Sequence, residues 1–188
     1  MSPMVSADPS CTRFFIALIP PKAIQIYAQN LIHELNDRYH TRTSKAPPHI
    51  TLQAPFLWNP DQISELDTSL RRFTQGQSAI PVSLQGFGSF PPRVLFINVL
   101  KTPELLGLQA RLLVHLEQTL EIVDPVAKRR PFSPHLTIAS RNLTRQTFRQ
   151  AWSELQDRSV QFEFVGDRLS LLIHDGHQWQ IHHEYAIN

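Results

Sequence analysis

An α+β fold of two lobes around a central cleft is the architecture this chain of 188 residues predicts. Three observations point to it. Strand-like and helix-like apolar periodicities alternate along the chain. One short string occurs twice, once in each half: Pro48-His49-Ile50-Thr51-Leu52 and Pro134-His135-Leu136-Thr137-Ile138. The last thirty or so residues read as β-rich.

Arg13 to Ile19 is an apolar run of strand length, stopped by Pro20-Pro21. From Ala23 to His40, Ile24, Tyr27, Leu31 and Leu35 recur at helical spacing. Pro47-Pro48 forces extended backbone before the first motif strand. Asn59-Pro60-Asp61 then opens a helix to Phe73, with Asn59 as cap and Pro60 in the first turn. Pro81 to Phe90 alternates weakly and Arg93 to Leu100 strongly, so both read as strands. Pro91-Pro92 between them is too stiff for a minimal hairpin turn.

Thr102-Pro103-Glu104 starts the next helix, with an apolar stripe of Leu105, Leu108, Leu112, Leu116 and Leu120. The loop from Asp124 carries the basic run Lys128-Arg129-Arg130 into the second motif strand. Thr144 caps a helix bearing Phe148, Ala151, Trp152 and Leu155. Val160–Val165, Leu169–Ile173 and Trp179–Ile187 are strands, and Asp175-Gly176 marks a turn between the last two. A three-residue loop pairing Ile173 with Trp179 and Leu171 with Ile181 keeps one face apolar. Residues 1–12 read as a disordered tail, and 13–188 as a single bilobal domain.

Composition narrows the function. A formal net charge of +2 permits an anionic ligand without implying a broad nucleic-acid surface. The lone cysteine, Cys11, excludes an intrachain disulfide and fits a reducing, cytoplasmic setting. No apolar run approaches the roughly 20 residues of a membrane span, so no membrane association is expected.

The motifs carry the chemistry. In a strand, residues i and i+2 share a face. His49 and Thr51 therefore point one way, with Ile50 and Leu52 behind; His135 and Thr137 repeat the pattern. Imidazole titrates near pH 6.5, so one neutral and one protonated histidine can coexist. Each proton transfer contributes on the order of 10²–10⁴-fold, and hydroxyls can donate to phosphate oxygens.

These strings resemble the two-histidine phosphoesterase superfamily, and within it the bacterial RNA 2′,3′-cyclic phosphodiesterases also called 2′–5′ RNA ligases. Arg13-Phe14-Phe15-Ile16-Ala17, Pro92-Arg93-Val94-Leu95-Phe96 and Arg130-Pro131-Phe132-Ser133-Pro134 support the resemblance, which spans roughly residues 13–185. It implies two pseudo-symmetric mixed or antiparallel sheets with outer helices, each supplying one motif strand to the cleft. It implies metal-free hydrolysis of a 2′,3′-cyclic phosphate to a 2′-phosphate, with no cofactor and no obligate protein partner. Weak 2′–5′ ligation, which joins a cyclic phosphate to a 5′-hydroxyl, is an expected side activity. His49 as acid and His135 as base is the preferred assignment, with the reverse left open.

Two departures bear on substrate. Many members have Phe-Leu-Gly after the first motif, where this chain has Gln53 to Trp58. Many have an arginine just after the second; Arg141 lies one place later, which reverses its face on a strand. Arg93 and Arg141 are candidate phosphate contacts, against a reading as surface charge. Phe56 and Phe132 are candidate base-stacking residues, against a reading as core. His174, His177, His182 and His183 crowd the last hairpin, yet no Cys, Asp or Glu spacing completes a metal site. The substrates expected are RNA ends or small nucleotides carrying a cyclic phosphate. Alternatives are 2′–5′ oligonucleotides, ADP-ribose cyclic phosphate, or a non-catalytic nucleotide-binding module.

Overall fold

A computed structural model describes residues 11–188. Its elements are β1 (Thr12–Leu18), α1 (Lys22–Tyr39), β2 (Ile50–Trp58), α2 (Ile63–Gln75), β3 (Ile80–Phe90), β4 (Val94–Val99), α3 (Pro103–Leu120), β5 (His135–Ala139), α4 (Arg145–Leu155), β6 (Gln161–Gly166), β7 (Arg168–His174) and β8 (Trp179–Ala186). Strands and helices follow the order that periodicity predicts. The predicted tail lies outside the described residues except for Cys11 and Thr12, and Thr12 opens β1.

The strands form one eight-stranded sheet, β6-β3-β4-β5-β2-β1-β7-β8, with every neighbouring pair antiparallel. It divides into two four-stranded halves. β2-β1-β7-β8 carries the first motif and β5-β4-β3-β6 the second. The halves are joined rather than separate, through the register pair Ile50–Leu136. Prolines explain why that junction is so short. Continuing the register would set Pro48 and Pro134 into the ladder on either side, and neither has an N–H to donate.

Four helices cover one face. Phe14, Ile16 and Leu18 of β1, Ile50 and Leu52 of β2, and Leu95, Ile97 and Val99 of β4 pack against the leucine stripe of α3 and the apolar sides of the other helices. Here α1 lies against β5 and α3 against β2, so each helix braces the other half's motif strand. Burial of each such side chain is worth about 1.5–3 kcal/mol, which makes this face the main source of stability. The opposite face keeps a small apolar floor of Phe15, Ala17 and Leu172, flanked by Ile19, Ala46 and Trp179.

Helix starts follow local chemistry. The Thr102 hydroxyl accepts from Leu105 N–H at 3.3 Å. Thr144 and Thr147 form a reciprocal capping box. Asn59 caps a 3₁₀ turn, Pro60–Gln62, and α2 begins only at Ile63. In the first half of α2, the Asp67 carboxylate accepts from the Tyr185 hydroxyl of β8. Burial, reinforced by that carboxylate, holds the phenol far above its ordinary pKa. No helix among the described residues is long and apolar enough to cross a membrane.

Of two turns read from the sequence, the last hairpin differs from expectation. The last hairpin pairs His174 with Trp179, Ile173 with Gln180 and Leu172 with Ile181, so its loop is Asp175 to Gln178 rather than three residues. The Asp175 carboxylate accepts from the N–H groups of His177 and Gln178, both at 2.8 Å, and this side-chain turn sets the longer loop. Pro91-Pro92, read as barring a minimal turn, sits within a three-residue hairpin loop, Pro91 to Arg93, and its peptide bond is cis.

Candidate active site

Each catalytic candidate is positioned by the same local device. His49 directly precedes β2 and His135 opens β5, and each follows a proline. The proline fixes its own φ and extends the residue before it, which turns the carbonyl two residues back toward the imidazole. His49 Nδ1–H donates to Pro47 O at 2.7 Å, and His135 Nδ1–H donates to Ser133 O at 2.7 Å. A carbonyl can only accept, so Nδ1 carries the hydrogen in both rings and Nε2 is the chemically free atom. Gln25 of α1 donates to Pro48 O, holding the approach to His49 from the helix side.

Both rings are half-buried. His49 packs on Phe15 at 4.7 Å between centroids. His135 meets Phe90 edge-on at 5.0 Å and Phe96 at 5.1 Å. Burial pushes both imidazole pKa values below the ordinary histidine range, opposed by the carbonyl each ring donates to. His49 is lowered further by the charge of His135. A charge on one ring therefore opposes a charge on the other.

Thr51 lies opposite Ala17 and Thr137 opposite Phe96 in the ladders, on the face of the histidines. Neither hydroxyl has a protein hydrogen-bond partner among the described residues, and both side chains are partly exposed. Two imidazole Nε2 atoms and two unengaged hydroxyls therefore sit on adjacent strands β2 and β5. This set can move two protons and hydrogen-bond an oxyanion.

The four other predicted residues disperse. Phe56 pairs with Phe14 and stacks on it at 6.2 Å, on the helix-covered face away from His49. Phe132 packs against the main core beside α3 residues Gln109 and Leu113. Both are partly buried and pack against the core. Arg93 is exposed in the β3–β4 loop, where its N–H donates to the carbonyl of Phe90, the residue whose ring meets His135. It stands at the rim of the site. Arg141 is exposed beyond β5, bridged through its backbone to Arg42, and lines a separate cavity that includes Pro47.

The crowded histidines also part company. His182 faces Asp67 at 3.5 Å, His183 packs on Tyr185, and His174 meets Arg13 and Trp179. Among the described residues no three His, Cys, Asp or Glu side chains converge as a metal cage.

Sequence reasoning missed Phe15, Phe90 and Phe96 as walls of the site. The available signal was Phe90-Pro91-Pro92-Arg93-Val94-Leu95-Phe96, two aromatics flanking a tight turn. It also missed Gly88, which lies directly across from Phe96. A β-carbon there would stand 2.2 Å from the Phe96 ring, so the missing side chain is the space that ring occupies.

Comparison with known proteins agrees with this architecture. The family model described as the 2′-5′ RNA ligase superfamily matches residues 20–178. A Geobacillus kaustophilus protein named "Putative phosphoesterase" is 30% identical over 176 residues, covering 93% of this chain and 96% of its own. A second protein of that name from a Geobacillus species is 29% identical over 178 residues, covering 93% and 96%. Among solved structures, TT0787 of Thermus thermophilus superposes with a TM-score of 0.63 at 20% identity, covering 93% of this chain and 97% of that one. Escherichia coli LigT in apo form gives 0.64 at 16% identity, covering 95% and 98%; these two show the fold. By the extent of the family match, the chain belongs to the 2′-5′ RNA ligase superfamily.

Proposed function

We propose that this protein is a phosphoesterase that hydrolyses 2′,3′-cyclic phosphodiesters, at RNA ends or in nucleotides, to 2′-phosphates without a metal. The observation that carries the reading is the doubled geometry. Each motif histidine has Nδ1 committed to a backbone carbonyl, Nε2 left free, and a threonine hydroxyl beside it on one face. Names of relatives as phosphoesterases, and the solved complex of LigT with 3′-AMP, go with it. A cytoplasmic setting, where RNA ends arise, goes with it too.

One neutral imidazole takes a proton from water at Nε2, and the resulting oxygen attacks phosphorus. The bond from phosphorus to the 3′ oxygen breaks, and the protonated imidazole delivers its Nε2 proton to that oxygen. The Thr51 and Thr137 hydroxyls donate to the non-bridging oxygens as charge gathers on them. Run in the same direction with a 5′-hydroxyl in place of water, the steps yield weak 2′–5′ ligation: the 5′ oxygen bonds to phosphorus as the 3′ oxygen leaves and is protonated.

In the free protein burial acts against protonation of both imidazoles, and a charge on one opposes a charge on the other. Turnover needs one proton on the pair, with His49 as acid and His135 as base the preferred assignment, and a leaving-group test decides between the two orders. An anionic phosphate raises both pKa values on binding. The experiment is hydrolysis of nucleoside 2′,3′-cyclic phosphates in EDTA, with His49→Ala and His135→Ala beside the wild type. Each variant is expected to lose at least about 10²-fold. Retained activity in both sinks the proposal. An aryl phosphodiester, whose leaving group needs no proton, rescues the variant lacking the acid and not the one lacking the base.

A further inference from the structure

Beside His49, but outside the paired-histidine set, lies a cavity of about 660 Å³, in the size range of small-ligand sites. Arg42, Lys45, Arg141 and His33 contribute to its wall, and no aspartate or glutamate lines it. Arg42, Lys45 and Arg141 are all exposed, and none forms a salt bridge among the described residues. The basic run that stands out in the sequence differs, since Lys128 is paired with Glu117 at 2.5 Å.

The cations sit on fixed backbone. Arg42 N–H donates to Arg141 O at 3.1 Å and Arg141 N–H to Arg42 O at 2.9 Å. Trp179 N–H donates to Lys45 O at 2.7 Å, tying the last hairpin to the same loop. Two features place the cavity next to the histidines. Pro47 lines it, and the Pro47 carbonyl is the one that orients His49. Trp179 also lines it and packs edge-on against Phe15 at 4.7 Å, and Phe15 is the neighbour of His49. Lys45 is four residues from His49, so an extended chain separates their Cα atoms by at most about 14 Å.

We propose that Arg42, Lys45 and Arg141 form a second phosphate subsite, which holds the phosphodiester 5′ to the nucleotide whose cyclic phosphate reacts between His49 and His135. Guanidinium groups fork phosphate oxygens, and three unpaired cations on a braced loop suit an anion that has no acid to compete with it. The substrate class that follows is a single-stranded oligonucleotide end of two or more nucleotides, in preference to a mononucleotide. This rests on the reading given under Proposed function.

The test compares kcat/KM for a nucleoside 2′,3′-cyclic phosphate and for a trinucleotide ending in one. Wild type, Arg42→Ala/Lys45→Ala, and the charge control Lys128→Ala/Arg129→Ala are measured together. Fluorescence anisotropy alongside reads binding of a labelled trinucleotide with a 2′-phosphate end as salt is varied. Wild type is expected to prefer the trinucleotide by about tenfold or more, and Arg42→Ala/Lys45→Ala to lose that preference. Each cation that meets a phosphate contributes about 0.7 to the slope of log affinity against log salt on a single strand. The slope should therefore fall by about 1.4 in that variant and stay unchanged in the control. Equal kcat/KM for the two substrates in wild type overturns the subsite. So does a preference that survives in Arg42→Ala/Lys45→Ala, or an equal loss in the control. Hydrolysis of neither substrate by wild type overturns the cyclic phosphodiesterase reading instead, and the salt slopes then decide the subsite alone.

Discussion

Replacing Gly88 by alanine tests how the wall of the site is built. Gly88 and Phe96 are direct partners in the β3–β4 ladder. A β-carbon at position 88 would stand 2.2, 2.6 and 3.1 Å from three carbons of the Phe96 ring. Ordinary contact begins near 3.4 Å, so the nearest ring atom must retreat by about 1.2 Å. Phe96 has little room for that. It is 6% exposed and packed between Phe90, at 4.6 Å, and His135, at 5.1 Å. Overpacking of this kind costs about 1–3 kcal/mol, and loss of the glycine's unfolded-state freedom returns about 0.5–1 kcal/mol. The net expectation is a loss of about 1–2 kcal/mol, or a Tm lower by about 2–8 °C for a domain of this size. Because the displaced ring pushes on His135, and about 1 Å of misplacement can cost on the order of 10²-fold, kcat/KM should fall by about 10–10²-fold. Calorimetry and cyclic phosphate hydrolysis read the two effects, and Phe96→Leu in the same chain should recover much of the lost Tm. An unchanged or raised Tm refutes the packing argument. A lowered Tm with full activity refutes the coupling of Phe96 to His135.

Three further outcomes follow from the same geometry. Thr51→Val or Thr137→Val keeps the shape and removes a hydroxyl, so steady-state kinetics should show kcat lower by about 10–10³-fold with Tm little changed. Because burial lowers both histidine pKa values, the bell of kcat/KM against pH should peak below about pH 6.5, and a maximum above about pH 7.5 would contradict the burial argument. The same shifts make the folded protein bind fewer protons than the unfolded chain between the folded pKa values and about 6.5. Their contribution to stability is therefore full above about pH 6.5 and lost as pH falls through the folded values, so His49→Gln/His135→Gln should flatten the decline of Tm from about pH 7 to 5.

Much of this molecule is legible residue by residue. The caps at Thr102 and Thr144 act within three residues of themselves, and a hydroxyl before a helix has a nearby N–H to satisfy. The leucine stripe of α3 has the period of its own backbone. Period two likewise settles that His49 shares a face with Thr51, and His135 with Thr137. Where a side chain's surroundings come from a distant segment, local reasoning does not reach. The packing of Phe56 on Phe14 and of Phe132 against the core depends on elements far away in the chain. The loop of the last hairpin follows from how the Asp175 carboxylate turns, a choice that apolar pairing does not see.

Sequence therefore dictates the twelve principal elements, their order, and which side chains of each motif travel together, because torsional preference and apolar period act over a few residues. Pairing across the chain does the rest. It joins two halves at Ile50–Leu136, sets Phe96 against a glycine so that its ring reaches His135, and bridges Arg42 to Arg141 across about a hundred residues. None of these has a local signal. Each depends on ladder registers and helix packing that minimise exposed apolar area and unpaired backbone over the whole sheet at once.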